Sequence, residues 1–521
     1  MRKLILSLIL SFGLVTSAFS SVDWKRFDFF DMSGGLNDGF APMNIADNEA
    51  SGIQNVVFTT GKNIKTRSGF AKVNSATVGA STVCTGLTYF RQADGTEFLV
   101  SVWDDGTIQK MDYNVGGGPD GTWDDITGGL SFTNDADDLA SFAVGEDTLL
   151  IEDGLADTAP YKWTGTGNAE ALGGSPPKAT AIAFHKNTAF VIGSEDAPST
   201  IYFSNLGDIE NWTTALSGNV NADTNDGSIL RGLKTGFDSI YFWKDSSIFR
   251  LSGDDKDTFR LQRMISDIGT KGNKTIAEVG NDFFFLSDDG SVIIFDGAVK
   301  VRNVSAKIQG TIDASAFSRF NVASGVIFDN DYFLSVTTSG GSTNNRVLVL
   351  DLFHFAWTKF AGLNVNAMTV GEDSNGKDVL FFGDYTGFVY QYPSGTDDAG
   401  TAISDSYTTK WFRFPELAPE KTLELIRLFA NQEGDYNIVL ETKSDFEGTG
   451  TAVNINLAGT SSSYGTAVYG TDSYGGQNLI IGTSKPEKGN NFFQLKFYNE
   501  SADEPWEIKG FQLFLDESER F

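Results

Sequence analysis

The stretch that decides the fold is Phe283-Phe-Phe-Leu286, Ser287-Asp-Asp-Gly290, Ser291-Val-Ile-Ile-Phe295. Two apolar runs rich in aromatic and β-branched residues flank a polar turn, and each run has the length of a strand. The turn ends in Asp-Gly, and glycine supplies the positive φ that tight hairpins require. The stretch therefore predicts a buried β-hairpin.

This hairpin pattern recurs along the chain. Including the first stretch, seven such segments begin near residues 98, 148, 190, 240, 284, 332 and 380. Intervals of about 40 to 50 residues match the period of β-propeller blades, four-stranded sheets that bury their faces against their neighbours. We predict an all-β chain with a β-propeller of about seven blade-like repeats over 76–395. A set of β-sandwiches, which also show regular turns, is the alternative.

The regular spacing ends at a polar, glycine-containing linker, 394–401. The strand-like runs beyond it follow a different spacing, which predicts a C-terminal antiparallel sandwich-like domain at 405–521. The alternative is that some of these strands complete the propeller. Ahead of the repeats, 21–75 is predicted to form an N-terminal arm with the first strands.

Helical patterns are scarce. One short helix is predicted at 47–55, where Asp47 is a suitable N-cap, and a second near 419–423.

The first twenty residues resemble a secretory signal peptide. Arg2 and Lys3 precede an apolar run, and small residues at Ala18 and Ser20 predict cleavage before Ser21. The alternative is an apolar segment that is never cleaved. No later stretch reaches 18 apolar residues, so we expect no membrane span in the mature chain.

Composition limits the function. The 521 residues include 57 glycines and 43 phenylalanines, which favours strands and tight turns over helices. With 39 basic and 68 acidic residues, the net charge is −29. That charge argues against broad electrostatic binding of nucleic acid, which needs a basic surface.

Few residues point to catalysis or metal binding. Cys84 is the one cysteine, so no intramolecular disulfide can form, and it lies in a strand-like stretch that predicts an inert, buried thiol. His185 and His354 have aromatic neighbours in sequence and are predicted to be partly buried structural residues. Asp135, Asp137 and Asp138 lack EF-hand spacing and are predicted to form a solvated loop instead of a calcium site. No pair of carboxylates stands out among the 68 acidic residues as a glycosidase pair.

An ordered set of short motifs follows the signal-like segment. It comprises Ser33-Gly-Gly-Leu-Asn37, Asp47-Asn-Glu-Ala50, Gln54-Asn-Val-Val57 and Lys65-Thr-Arg-Ser-Gly-Phe70. This set resembles the opening of the tail-hub, or nozzle, β-propeller proteins of short-tailed phages, also called phage stabilisation proteins. Further blade-like segments are similar to the same family: 229–249, 268–290, and 346–359 with Asp351 and Trp357. The resemblance covers roughly 33–395 in order, and the C-terminal strands fit the family only loosely.

The resemblance implies a structural protein of the virion tail. Such proteins form a ring, typically a hexamer, below the portal and adaptor, where they retain and guide DNA. It implies no catalytic residue, metal or cofactor. A negative inner surface would let DNA slide without sequence recognition. Lys65, Arg67 and Phe70 are predicted to lie near an inter-subunit or adaptor contact; the alternative is an ordinary hairpin end.

The signal-like N-terminus departs from this family, because phage tails assemble in the cytoplasm. The alternative function is therefore an exported β-propeller, extracellular or periplasmic, that binds a glycan or protein on one face. A carbohydrate-active enzyme is a third hypothesis, since propellers host such chemistry.

Overall fold

A computed structural model describes residues 24–79, 82–113, 118–132, 134–222, 225, 227–373, 375–414, 421–458, 479–486 and 488–516. The signal-like segment at 1–20 lies outside these residues. Strands dominate, and the helical residues are confined to three 3₁₀ helices and one short α-helix within the described ranges. In that part of the chain, no helix is both long and apolar enough to cross a membrane.

Six short strands precede the repeats. They are β1 (Lys25–Phe29), β2 (Gly35–Leu36), β3 (Glu49–Gln54), β4 (Val56–Phe58), β5 (Ile64–Thr66) and β6 (Ala71–Lys72).

The repeats form seven four-stranded antiparallel sheets among the described residues, numbered here sheets 1 to 7. Sheets 1 and 2 contain the first eight of these strands: sheet 1 has β7 (Cys84–Arg91), β8 (Glu97–Trp103), β9 (Thr107–Asp112) and β10 (Asp124–Asp125), and sheet 2 has β11 (Ser141–Gly145), β12 (Thr148–Glu152), β13 (Tyr161–Trp163) and β14 (Glu170–Ala171). Sheet 3 has β15 (Ala181–His185), β16 (Thr188–Ile192), β17 (Thr200–Phe203) and β18 (Gly218–Asn221). Sheet 4 has β19 (Leu230–Gly236), β20 (Ser239–Lys244), β21 (Ile248–Ser252) and β22 (Arg260–Ile265). Sheets 5 and 6 are β23 (Ala277–Val279), β24 (Asp282–Leu286), β25 (Val292–Phe295), β26 (Val301–Asn303); and β27 (Ser324–Phe328), β28 (Asp331–Val336), β29 (Arg346–Asp351), β30 (Ala356–Ala361). Sheet 7 combines β31 (Ala367–Glu372), β32 (Asp378–Gly383) and β33 (Val389–Tyr392) with β6.

The remaining elements are short helices between sheets and the strands after the repeats. The helices are η1 (Asn273–Thr275), η2 (Ala306–Ile308), α1 (Gln309–Asp313) and η3 (Phe317–Val322). The last strands are β34 (Asp405–Thr409), β35 (Phe412–Arg413), β36 (Lys421–Asn431), β37 (Asn437–Ser444), β38 (Thr451–Asn456), β39 (Leu479–Ser484), β40 (Lys488–Asn490), β41 (Phe492–Asn499) and β42 (Glu507–Asp516).

The seven sheets stand in a ring. The first strand of each sheet lies at a sheet edge, and neighbouring first strands contact each other from β7 through β11 and β15 to β19. Helix η1 contacts both β19 and β27, and β23 also contacts β27. Strand β31 then contacts β27 on one side and β7 on the other, which closes the ring. The prediction of an all-β, propeller-like arrangement of four-stranded sheets is confirmed.

The seven predicted hairpins coincide with the second and third strands of the seven sheets. Phe283–Leu286 and Val292–Phe295, for example, fall in β24 and β25 of sheet 5. Strands β24 and β25 are buried on both faces, and their aromatic rings pack between sheets. The Tyr241 and Trp243 rings of sheet 4 lie 4.9 and 5.3 Å from the Phe283 ring. Such ring pairs stabilise beyond the area that they bury.

The ring is closed by a strand that comes before the repeats. In sheet 7, Lys72 of β6 pairs with Tyr390, and Ala71 pairs with Gln391. The backbone N–H of Val73 also donates to the Val389 carbonyl at 2.8 Å. The two ends of the repeat region are thus joined by hydrogen bonds, and no sheet of the ring depends on residues beyond 392 for its strands.

The strands from both ends of the chain form two further sheets, which we call the terminal β unit. Strands β1, β4 and β5 share one seven-stranded sheet with β36, β39, β40 and β42. Strands β2 and β3 share the other with β34, β35, β37, β38 and β41. The Phe29 and Phe412 rings, 4.5 Å apart, and the Phe497 and Phe511 rings, 5.7 Å apart, pack the two sheets together. The segments 21–75 and 405–521, predicted as separate, therefore interlock through their strands.

The prediction of a helix at 47–55 is wrong. Residues Glu49–Gln54 form β3, which pairs with β34. Ala50 and Ile53 are buried in the core of the terminal β unit, and that burial outweighs the local helical preference. Of the second predicted helix, 421–423 opens β36, while 419–420 lie outside the described residues.

Candidate functional site

Two places concentrate polar groups in buried surroundings. The first is the seam, the junction at which the terminal β unit meets sheets 6 and 7. Strands β2, β3 and β4 contact β30 there, and the Thr358 hydroxyl donates to the Val56 carbonyl at 2.6 Å. The second is a cavity on the axis of the ring.

Arg67 is the centre of the seam. Its side chain is 1% exposed, and its Nη1 and Nη2 atoms donate to Asp398 Oδ1 at 2.8 Å and Oδ2 at 2.5 Å. Its Nε donates to Asn55 Oδ1 at 3.0 Å. Burial raises the pKa of Asp398, while the guanidinium opposes that rise. A bidentate pair of this kind fixes the mutual geometry of the segments that carry it.

Phe70 is also buried. Its ring makes edge contacts with the Phe382 and Tyr390 rings of sheet 7, at 5.2 and 5.1 Å between centroids. The Arg67 guanidinium lies 5.9 Å from the Phe70 centroid and 5.3 Å from the Phe360 centroid. Arg67 and Phe70 therefore have their partners inside the chain, and they leave almost no side-chain surface for another protein.

Lys65 differs from these two residues. It is exposed on β5, opposite Val57 on one side and Glu507 on the other. Of the three residues predicted near an interface, Lys65 alone offers surface, and its role in a contact stays a prediction.

Several residues of the motifs that carry the family resemblance lie at or near the seam, whereas the blade-like segments 229–249 and 268–290 belong to sheets 4 and 5. Gly35 has a φ of +80°, and a Cβ at this position would come 2.7 Å from the Trp357 backbone nitrogen. Asn37 Nδ2 donates to Glu49 Oε2 at 2.8 Å, and Trp357 Nε1 donates to the Val304 carbonyl at 2.8 Å. The Gly35–Trp357 contact joins the terminal β unit to sheet 6, whereas the Asn37–Glu49 bond lies within the terminal β unit and the Trp357–Val304 bond lies within the ring.

The central cavity lies on the ring axis and has a volume of about 390 Å³. Residues from the first strands of sheets 1, 2, 3, 4, 6 and 7 line it, together with η1 and Ile276 just before β23. Lys234 of β19 and Lys274 of η1 are its charged lining residues, and no carboxylate is among the lining residues. Its uncharged polar lining residues are Thr88, Ser141, Thr235, Asn273, Ser324 and Thr369.

The two lysines are held in apolar and cationic surroundings. Lys274 Nζ lies 5.3 Å from the centroid of the Phe142 ring. Burial, followed by the charge of Lys234, lowers the pKa of Lys274 to about 7. Burial also lowers the pKa of Lys234, and Glu278 opposes this shift. Among the described residues, neither ammonium group forms a hydrogen bond or an ion pair, although the Glu278 carboxylate interacts electrostatically with Lys234.

A second cavity of about 500 Å³, which we call the mouth, adjoins the central cavity. Asn273 and Lys274 line both cavities. The mouth is formed where the first strands begin, and its other charged lining residues are Asp137, Asp138, Glu195, Arg231 and Lys271.

The other residues singled out in the sequence are not brought together. Cys84 is buried, and burial raises the pKa of its thiol. Burial lowers the pKa of His185 at the end of β15, whereas His354 follows β29 and its Nδ1 lies 2.9 Å from Asp351 Oδ2. Both histidines are partly buried, as predicted.

The acidic loop at 135–138 is tied to the protein. The Asp135 N–H donates to Asp138 Oδ2 at 2.8 Å, and Arg319 donates to both carboxylate oxygens of Asp137 at 2.9 and 2.6 Å. In the described part of the chain, no group of three or more His, Cys, Asp or Glu side chains is arranged to hold a metal ion.

Sequence reasoning missed Lys234, Lys274 and Asp398. A lone lysine in a sequence is usually a surface residue, and Lys234 and Lys274 come to the axis only through the arrangement of the sheets in a ring. Asp398 lies in the segment interpreted as a linker, with no signal that a buried arginine 331 positions away would pair with it.

Comparisons with known proteins give no family. No family model matches the chain, and no curated protein matches it. A computationally designed protein, Ika8, is similar in structure at a TM-score of 0.36 with 12% identity, over 62% of this chain and 100% of that one. BBS1N, solved in complex with ARL6DN, is similar at a TM-score of 0.39 with 12% identity, over 64% of this chain and 99% of that one. Both TM-scores are below 0.5, so the fold described above rests on strand pairing and packing.

Proposed function

We propose that this chain is a non-enzymatic structural protein of a short-tailed phage virion, a tail-hub or nozzle subunit built as a seven-bladed β-propeller with a two-sheet terminal domain. In this proposal, copies form a ring below the portal and adaptor. DNA passes through the lumen of that ring, because a cavity of about 390 Å³ inside one propeller holds a small molecule and not a duplex. The net charge of −29 would keep DNA from adhering.

The observation that carries the proposal is that residues of the N-terminal motifs, Gly35, Asn55 and Arg67, meet the ring at the seam. A subunit that joins different neighbours at different surfaces must keep those surfaces in fixed relation. The buried Arg67–Asp398 pair and the paired chain ends supply that rigidity. Part of the resemblance to the tail-hub family thus rests on residues that join the terminal β unit to the ring in this chain.

A density gradient of the native source, followed by mass spectrometry of this chain, tests the proposal. Co-migration with DNA-filled particles, with residues 2–20 still attached, is the expected result. Recovery only in the soluble extracellular or periplasmic fraction, starting at Ser21, would overturn it.

That second outcome would favour an exported ligand-binding propeller. The specific observation in favour of this second candidate is the central cavity, which has the volume of a small-molecule site and two lysines in its lining.

A further inference from the structure

We propose that the central cavity binds a small, multiply charged oxyanion between the Lys234 and Lys274 ammonium groups. The proposal is independent of the function proposed above, since a virion subunit and an exported protein would both hold the same cavity.

The first argument is charge. The chain carries 29 more acidic than basic residues, yet the charged residues that line the central cavity are both lysines. Two ammonium groups in a partly desolvated space repel each other, and the lowered pKa of Lys274 reflects that cost. An anion with two or more charges would offset the repulsion and supply hydrogen-bond acceptors to both groups.

The second argument is hydrogen bonding by the wall. Each first strand pairs with a neighbour on one side only, so its other edge presents backbone N–H and C=O groups towards the axis. The hydroxyls of Thr88, Thr235 and Thr369 and the Asn273 amide add donors from the side chains. Such a wall can satisfy the oxygen atoms of an oxyanion in several directions.

The third argument is size and access. A volume of about 390 Å³ falls within the range of small-molecule sites in proteins. The mouth shares Asn273 and Lys274 with the central cavity, so the Lys274 side chain lies where the two cavities adjoin. At the mouth, Arg231 is paired with Asp245 and Asp137 is paired with Arg319, while Lys271 adds positive charge and Asp138 and Glu195 add negative charge.

Isothermal titration calorimetry on the full chain tests the proposal with two probes, inorganic pyrophosphate and citrate, at constant ionic strength. We expect saturable binding of at least one probe at one site per chain. Preference for pyrophosphate would identify a phosphate-bearing ligand, and preference for citrate a polycarboxylate; either result supports an oxyanion site. Failure of both probes to bind would overturn the proposal.

Variants place the site. Lys274→Met and Lys234→Met should each weaken binding by about tenfold or more, as expected for loss of one charge-assisted interaction. The exposed Lys178→Met is the matched control and should leave binding unchanged. Affinity that survives the Lys234→Met/Lys274→Met double variant would contradict the assignment.

A labelling experiment avoids any dependence on how the variants fold. The wild-type chain is treated with acetic anhydride with and without the probe, and the modified lysines are quantified by mass spectrometry. We expect the probe to protect Lys234 and Lys274 and to leave Lys178 equally reactive. If saturating probe leaves the labelling of Lys234 and Lys274 the same as in its absence, the proposal is overturned.

Discussion

Arg67 and Asp398 lie 331 positions apart in the chain and form a buried, bidentate ion pair. Arg67 follows β5 of the terminal β unit, whereas Asp398 follows the last strand of sheet 7. The pair therefore ties the terminal β unit to the ring at the point where the chain passes from one to the other. Asn55 accepts a third hydrogen bond from the same guanidinium.

We expect Arg67→Met to lower the free energy of unfolding by about 3–5 kcal/mol, because the variant leaves the buried Asp398 carboxylate without its partner. Urea unfolding at pH 7 measures this loss. Arg26→Met is the matched control, since Arg26 is largely exposed and its 3.2 Å contact with Asp28 is a surface pair. The control should change stability by at most about 1 kcal/mol. Equal stability of the two variants would contradict a structural role for the pair at the seam.

Glu152 should make the protein less stable as the pH rises. Its side chain is fully buried at the end of β12, and within the described part of the chain neither carboxylate oxygen has a hydrogen-bond partner. Burial, followed by the charge of Asp153, raises its pKa well above the ordinary value of 4.5. The folded state thus retains a proton that the unfolded chain releases, so this stabilising contribution is fully present below pH 4.5 and is lost as the pH rises towards the folded-state pKa.

Glu152→Gln removes this titration. We expect the variant to be more stable than the wild type at pH 8 and to lose that advantage at pH 4.5, as measured by urea unfolding at both values. Glu146→Gln, on the exposed turn before β12, is the control and should follow the wild type at both. A wild-type advantage over Glu152→Gln that grows with pH would show that the carboxylate is ionised and satisfied.

Anion binding in the central cavity should weaken as the pH rises through about 7, where Lys274 loses its proton. Sulfate is the suitable probe, because its charge does not change between pH 6 and 8.5. We expect tighter binding at pH 6 and a much smaller pH effect in Lys274→Met. The charged groups that also face the site or its openings are Lys234, Glu278, Asp137, Asp138, Glu195, Arg231 and Lys271. Affinity that is constant or increases with pH would refute this role of Lys274.

Lys65 is the interface prediction that the fold leaves open. If the ring contact of the proposed function includes this residue, Lys65→Glu should weaken ring formation or adaptor binding without changing thermal stability. Light scattering of the chain with its portal and adaptor measures the assembly. Lys377→Glu, an exposed lysine on a turn of sheet 7, is the control. Identical assembly by the two variants would remove Lys65 from the interface.

The sequence by itself determined the repeating part of the fold. Second and third strands such as β24 and β25 are buried on both faces, so they must be continuously apolar, and their spacing is visible without any tertiary information. First strands such as β19 were not part of the predicted hairpins, because one of their edges faces the axis and they carry polar residues such as Lys234.

Only the tertiary structure decided how the chain ends are used. The closure of sheet 7 by β6, the pairing of β3 with β34 and the Arg67–Asp398 contact all join residues more than 300 positions apart. Short windows of sequence encode strand and turn preferences, but they contain no information on which distant edge will satisfy a strand's hydrogen bonds. For the same reason, the central cavity could not be predicted from the sequence. Lys234 and Lys274 line one cavity only when the ring of sheets has closed.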